Sequence, residues 1–193
     1  TVGGGSNSPL WLPYTVPQVY IPVPGAADGV RLQNRNATAF ASGDRTVRVK
    51  ARADDWTGSG HYFAGSTVNG EMFTPRIINA TTIRCYWKDS GGSVVSRDVT
   101  VPNMTTLAAG GFLTLEMSLD VDDGAGNHVV TVRRSIDEGV TWSALGSTTT
   151  VGTTSHVPTG YTNVHIGGNN GWTFPGAVSW GELLSGFQGG TIE

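Results

Sequence analysis

Thr46-Val47-Arg48-Val49-Lys50-Ala51-Arg52 sets apolar residues against cations with a period of two. Successive side chains of a strand point to opposite faces, so this run reads as a half-buried β-strand with Val47, Val49 and Ala51 turned inward. The same alternation sets Ile83, Cys85 and Trp87 against Arg84, Tyr86 and Lys88. It recurs with Leu113, Leu115, Met117 and Leu119 against Thr114, Glu116, Ser118 and Asp120. Val129-Val130-Thr131-Val132, Val164-His165-Ile166 and the run from Ala177 to Leu184 read as further strands. Turn-forming clusters separate them: Asp89-Ser90-Gly91-Gly92, Asp123-Gly124-Ala125-Gly126-Asn127 and Gly167-Gly168-Asn169-Asn170-Gly171. Many short strands at this spacing predict an all-β, two-sheet antiparallel sandwich or jelly roll, because the helical crossovers of a parallel α/β sheet are missing.

Composition agrees. The 193 residues include 28 Gly and 9 Pro, with 38% hydrophobic and 14% charged residues, which favours turns and strands over long helices. A net charge of -3 supplies no clustered cationic surface for nucleic acid. No apolar run is long enough to cross a bilayer as a helix, so neither nucleic acid nor membrane is an expected partner. Cys85 is the only cysteine, which rules out an internal disulfide, and its place on the apolar side of an alternating run predicts a buried thiol.

Two regions follow. Residues 1–24 are Gly-rich and then punctuated by Pro9, Pro13, Pro17, Pro22 and Pro24, a pattern that predicts an extended N-terminal arm. Trp11, Tyr14 and Tyr20 make it more than a spacer and give it an assembly role, docking either on the domain's own flank or on another subunit. Residues 25–193 form the sandwich domain.

Ser135-Ile136-Asp137-Glu138-Gly139-Val140-Thr141-Trp142 has the form Ser-x-Asp-x-Gly-x-Thr-Trp and resembles the Asp-box hairpin. Asp137 would accept backbone N–H bonds there, Gly139 would supply an awkward dihedral, and Trp142 would cover the hairpin base, so Ser135, Asp137, Gly139, Thr141 and Trp142 read as structural. Upstream lies the strand and Gly-rich turn from Leu119 to Val132; downstream lie Leu145-Gly146, Val164-His165-Ile166-Gly167-Gly168 and Phe174-Pro175-Gly176-Ala177-Val178. In this order the segments resemble the concanavalin A-like, laminin G-like domains of virion proteins from phages that infect actinobacteria. The resemblance implies a phage structural protein, made in the host cytoplasm and carried on the particle as a capsid decoration or minor tail protein. Its implied partners are other virion proteins and further copies of itself. Such a sandwich also serves as an adhesin, and a carbohydrate-binding module for a host cell-surface glycan is the alternative reading.

The catalytic patterns that would make this an enzyme are missing. Glycoside hydrolases on this fold carry paired carboxylates across the scissile bond. Here Glu116 and Asp120 share a strand face but stand four residues apart, and they read as carboxylates on a solvated sheet. His61, His128, His156 and His165 have no zinc spacing, and neither a Gly-x-Ser-x-Gly elbow nor a phosphate-binding loop is present. No catalytic residue is therefore assigned. For the glycan alternative, Trp56 and Trp172, each in a polar loop context, supply stacking rings, with Asn169 and Asn170 as hydrogen-bonding partners; the competing reading has each ring covering one end of the core. Asp120, Asp122 and Asp123 offer hard oxygen ligands for a possible Ca²⁺, against the plainer reading of a polar hairpin tip.

Overall fold

The computed structural model describes residues 19–21, 30–33, 42–66, 72–157, 163–169 and 172–186. Its strands run β1 (Val19–Ile21), β2 (Val30–Gln33), β3 (Arg45–Ala53), β4 (His61–Tyr62), β5 (Ala64–Ser66), β6 (Thr74–Asn79), β7 (Thr82–Lys88) and β8 (Val94–Thr100). After a short helix α1 (Met104–Ala108) follow β9 (Leu113–Asp120), β10 (Asn127–Ser135), β11 (Ser143–Val151), β12 (Asn163–Ile166), β13 (Gly168–Asn169), β14 (Trp172–Thr173) and β15 (Gly176–Ser185).

A six-stranded sheet in the order β1-β15-β3-β9-β10-β11 forms one layer. A four-stranded sheet, β4-β6-β7-β8, and a three-stranded sheet, β2-β12-β5, supply the other strands of the sandwich, with a β13-β14 ribbon between Gly168 and Thr173. The strand pairs are antiparallel, as the turn spacing predicts. The alternating runs behave as their period requires. Val47, Val49 and Ala51 from β3 meet Leu115, Met117 and Leu119 from β9 and Val130 and Val132 from β10. Facing them are Ile83, Cys85 and Trp87 of β7, each fully buried. Burial pushes the Cys85 thiol far up from its ordinary range, which keeps it an unreactive hydrophobe.

Two features went unread in the sequence. Helix α1 is a single capped turn: the Asn103 side chain accepts from Thr106 N–H at 3.1 Å, while Met104 and Ala108 are buried beneath it. A span of five residues carries too little periodicity to announce itself. Gly146 of β11 also has a packing role, since a Cβ there would collide with the Thr100 carbonyl and approach Val99. That glycine lets the edge strand β11 lie against β8, where Thr148 Oγ1 donates to the Asp98 carbonyl at 2.5 Å.

Within the proposed arm, β1 pairs with β15, with Tyr20 opposite Ala177. This stretch therefore lies on the domain's own sheet. Trp11 and Tyr14 lie outside the described residues, as does Asn170. No helix among the described residues is long and apolar enough to cross a membrane.

Candidate functional site

The face of the six-stranded sheet turned away from the core carries the chemistry. One row of its register reads Arg133, Glu116, Arg48, Glu182 across β10, β9, β3 and β15, alternating in charge from strand to strand. Arg48 Nε donates to Glu116 Oε2 at 2.8 Å and its other arm to Glu182 Oε2 at 3.2 Å. Arg133 Nε donates to Glu116 Oε1 at 2.7 Å. The expectation of a solvated Glu116 is thus corrected: its side chain is 0% exposed, against 19% for Arg48. Asp120, two steps along the same face, does remain partly exposed.

The cover comes from the Asp-box hairpin. Ser135 Oγ donates to Asp137 Oδ1 at 2.6 Å, and Thr141 N–H and Oγ1 donate to the two Asp137 oxygens at 2.8 and 2.6 Å. The Ser135 hydroxyl, then that of Thr141, then the Thr141 amide hold the Asp137 carboxyl down at about 2. Glu138 and Gly139 both take positive φ, 60° and 91°, so the chain reverses sharply. The hairpin then folds back on the sheet: Glu138 Oε1 accepts from Lys50 Nζ at 2.6 Å, and the Trp142 ring lies 5.0 Å from the Arg48 guanidinium carbon.

Beside the charged row lies an open cleft of about 450 Å³ between β9, β10 and β11. Val129, Ala144 and Leu145 give it an aliphatic wall, while Thr131, Ser147, Asp120 and Asp123 give it a polar one. Thr131 is 9% exposed and has no hydrogen-bond partner among the described residues, so its hydroxyl is available at the cleft. The sequence marked only its acidic rim, Asp120 and Asp123, because the other walls come from three strands and a bulge at Val132/Arg133 that only the register reveals.

The acidic turn beside the cleft is built from its own hydrogen bonds. Asp120 Oδ1 accepts from Asp122 N–H, Asp122 from Gly124 N–H, and Asp123 from the amides of Ala125 and Asn127. The Asn127 side chain donates to Asp123 as well and is the main cause of that carboxyl's lowered pKa. Burial raises the pKa of Asp120, and the neighbouring charges of Asp44, Asp123 and Asp122 add to it. Among the described residues, no three His, Cys, Asp or Glu side chains are grouped to hold a metal ion.

Trp56 is placed differently from a stacking platform. It is 4% exposed and packs edge-on to Phe174 at 5.9 Å and tilted to Phe63 at 6.5 Å, so its faces are taken up by the core. Asn169 and Trp172 pair through their backbones in the β13-β14 ribbon, two residues before Phe174, which brings that ribbon to the same end as Trp56. What their side chains meet lies outside the described residues.

No protein-family model matches this sequence, and no curated protein sequence matches it. Solved structures do match in fold. One is the CBM40 of a Ruminococcus gnavus IT-sialidase, bound to α2,6-sialyllactose: TM-score 0.52, 13% identity, covering 88% of this chain and 90% of that one. Another is a leech intramolecular trans-sialidase complexed with 2,7-anhydro-Neu5Ac: TM-score 0.52, 17% identity, covering 88% of this chain and 25% of that larger one. At such identities the likeness speaks for the fold, an antiparallel β-sandwich of the kind used by carbohydrate-binding modules.

Proposed function

We propose that the chain is a non-catalytic carbohydrate-binding module whose ligand rests on the outer face of the six-stranded sheet. The observation that carries this reading is the cleft of about 450 Å³, where an aliphatic wall of Val129 and Leu145 stands next to the hydroxyls of Thr131 and Ser147. A sugar ring has the matching chemistry, with apolar C–H patches on its faces and hydroxyls on its rim. The volume suits one or two sugar residues. The shared fold with a module that binds α2,6-sialyllactose supports the reading, and it favours a glycan partner over the virion role implied by the sequence resemblance. Glu116, the carboxylate a hydrolase would need on this face, is instead held by Arg48 and Arg133.

A glycan array probed with the purified chain tests this, repeated with Ser147→Arg, which fills the cleft from an exposed position. Binding that disappears in the variant, with the melting temperature unchanged, is the expected result. An array without hits, or hits indifferent to Ser147→Arg, would remove the cleft as the site.

A further inference from the structure

The cleft also carries information about the charge of its ligand, an inference that rests on the glycan-binding reading. Asp120 and Asp123 stand at its wall, and Asp44 and Asp122 are close enough to raise the pKa of Asp120 through their charges. Val121 N–H donates to Asp44 at 2.9 Å, which fixes that fourth carboxylate at the same end of the sheet. Of the cations on this face, Arg48 bridges Glu116 and Glu182, Arg133 is bonded to Glu116, Lys50 is paired with Glu138, and Arg52 lies over the Phe112 ring. Arg45 falls on the opposite side of β3, lining an inner crevice with His156. The charged side chains that line the cleft are therefore two carboxylates, Asp120 and Asp123.

Acidic residues alone do not make a site, and here they are not the whole of it. Thr131 is nine-tenths buried, lines the cleft with a hydroxyl that has no partner among the described residues, and shares its strand face with Val129. Asp120 uses Oδ1 to hold Asp122 N–H at 3.1 Å, which leaves Oδ2 as a charged acceptor. Carboxylate acceptors are strong partners for hydroxyl donors and poor neighbours for another carboxylate.

We propose that this cleft takes an uncharged sugar residue and excludes acidic sugars, Asp120 accepting from a ligand hydroxyl, Thr131 completing the polar edge and Val129 and Leu145 carrying the ring. The specificity would then be opposite in charge to that of the sialyllactose-binding structure of the same fold.

Calorimetric titration with matched oligosaccharides, identical except for a terminal uncharged or acid-bearing sugar, tests the proposal. The uncharged members should bind, and their acidic counterparts should bind at least about tenfold more weakly. Asp120→Asn should weaken the uncharged ligand by about tenfold, the size of a lost charge-assisted hydrogen bond. If that variant loses its fold, the unmodified chain still decides: added salt should leave uncharged binding unchanged and strengthen residual acidic binding by screening repulsion. Acidic sugars that bind as well or better, or that salt weakens, would overturn this inference while leaving the module a glycan binder. Absence of binding to any glycan would overturn both.

Discussion

Arg48 and Glu116 face each other in register across β3 and β9, with Nε 2.8 Å from Oε2, on a sheet face where the carboxylate is wholly removed from water. Arg133 completes its coordination from the other side. Removing one partner of such a buried set strands the remaining charges, and the cost of an uncompensated buried ion exceeds the net worth of the pair. Glu116→Ala should therefore destabilise the domain by about 3–5 kcal/mol. Arg48→Ala should cost a similar amount: Arg133 still neutralises Glu116, but the buried Glu182 loses the guanidinium bonded to it. Urea unfolding of both variants measures this, and small losses in both would show that the row is a surface pair of little consequence.

Half of that relationship was visible in the sequence. The period of two in Thr46 to Arg52 and Leu113 to Asp120 placed Arg48 and Glu116 on outward faces, and outward they point. Which outward residues oppose one another depends on register, set by inter-strand hydrogen bonds between segments 68 residues apart. Burial of that face depends in turn on the Asp-box hairpin, whose local pattern announces the turn but not the sheet residues Lys50 and Arg48 that Glu138 and Trp142 meet. The cleft was hidden for the same reason, its walls being brought together by pairing of β10 with two neighbours. For Trp56 the polar loop sequence left two readings, a stacking ring or a cover for one end of the core, and the ring closes over Phe63 and Phe174 as the second requires.

His156 supplies a pH dependence. It is 1% exposed, and burial first, then the charge of Arg45, hold its pKa down at about 3 from an ordinary 6.5. The unfolded chain therefore binds a proton that the folded chain refuses between these values, so stability rises with pH across the window. Acidification from pH 6.5 toward 3 should cost about 4 kcal/mol through this residue, and His156→Leu should flatten that part of the profile. Chemical denaturation at a series of pH values reads the slope, and an unchanged slope in the variant would assign it to other groups.

Gly146→Ala tests the contact between β11 and β8. The added methyl meets backbone at Thr100 rather than the end of a flexible side chain, so the strands must separate. Overpacking of this kind costs about 1–3 kcal/mol, which for a domain of this size lowers Tm by roughly 5 °C. The amide protection of β11 should fall with it. A variant as stable as the parent would mean that β11 is not held against β8 as described.

Trp56 separates a core role from a ligand role, because the two predict different losses. Its ring fills space against Phe63 and Phe174 with 4% of its surface exposed, and deleting a buried aromatic costs about 3–5 kcal/mol through lost burial and the cavity left behind. Trp56→Ala should thus lower the unfolding free energy by that amount, whereas Trp56→Phe, which keeps a ring between the same neighbours, should recover most of it. Glycan affinity of the folded Trp56→Phe protein should match the parent, since a sugar in the cleft of Val129 and Thr131 rests on a different face of the sandwich. A variant that stays fully stable while losing its ligand would instead place the binding surface at the Trp56 end.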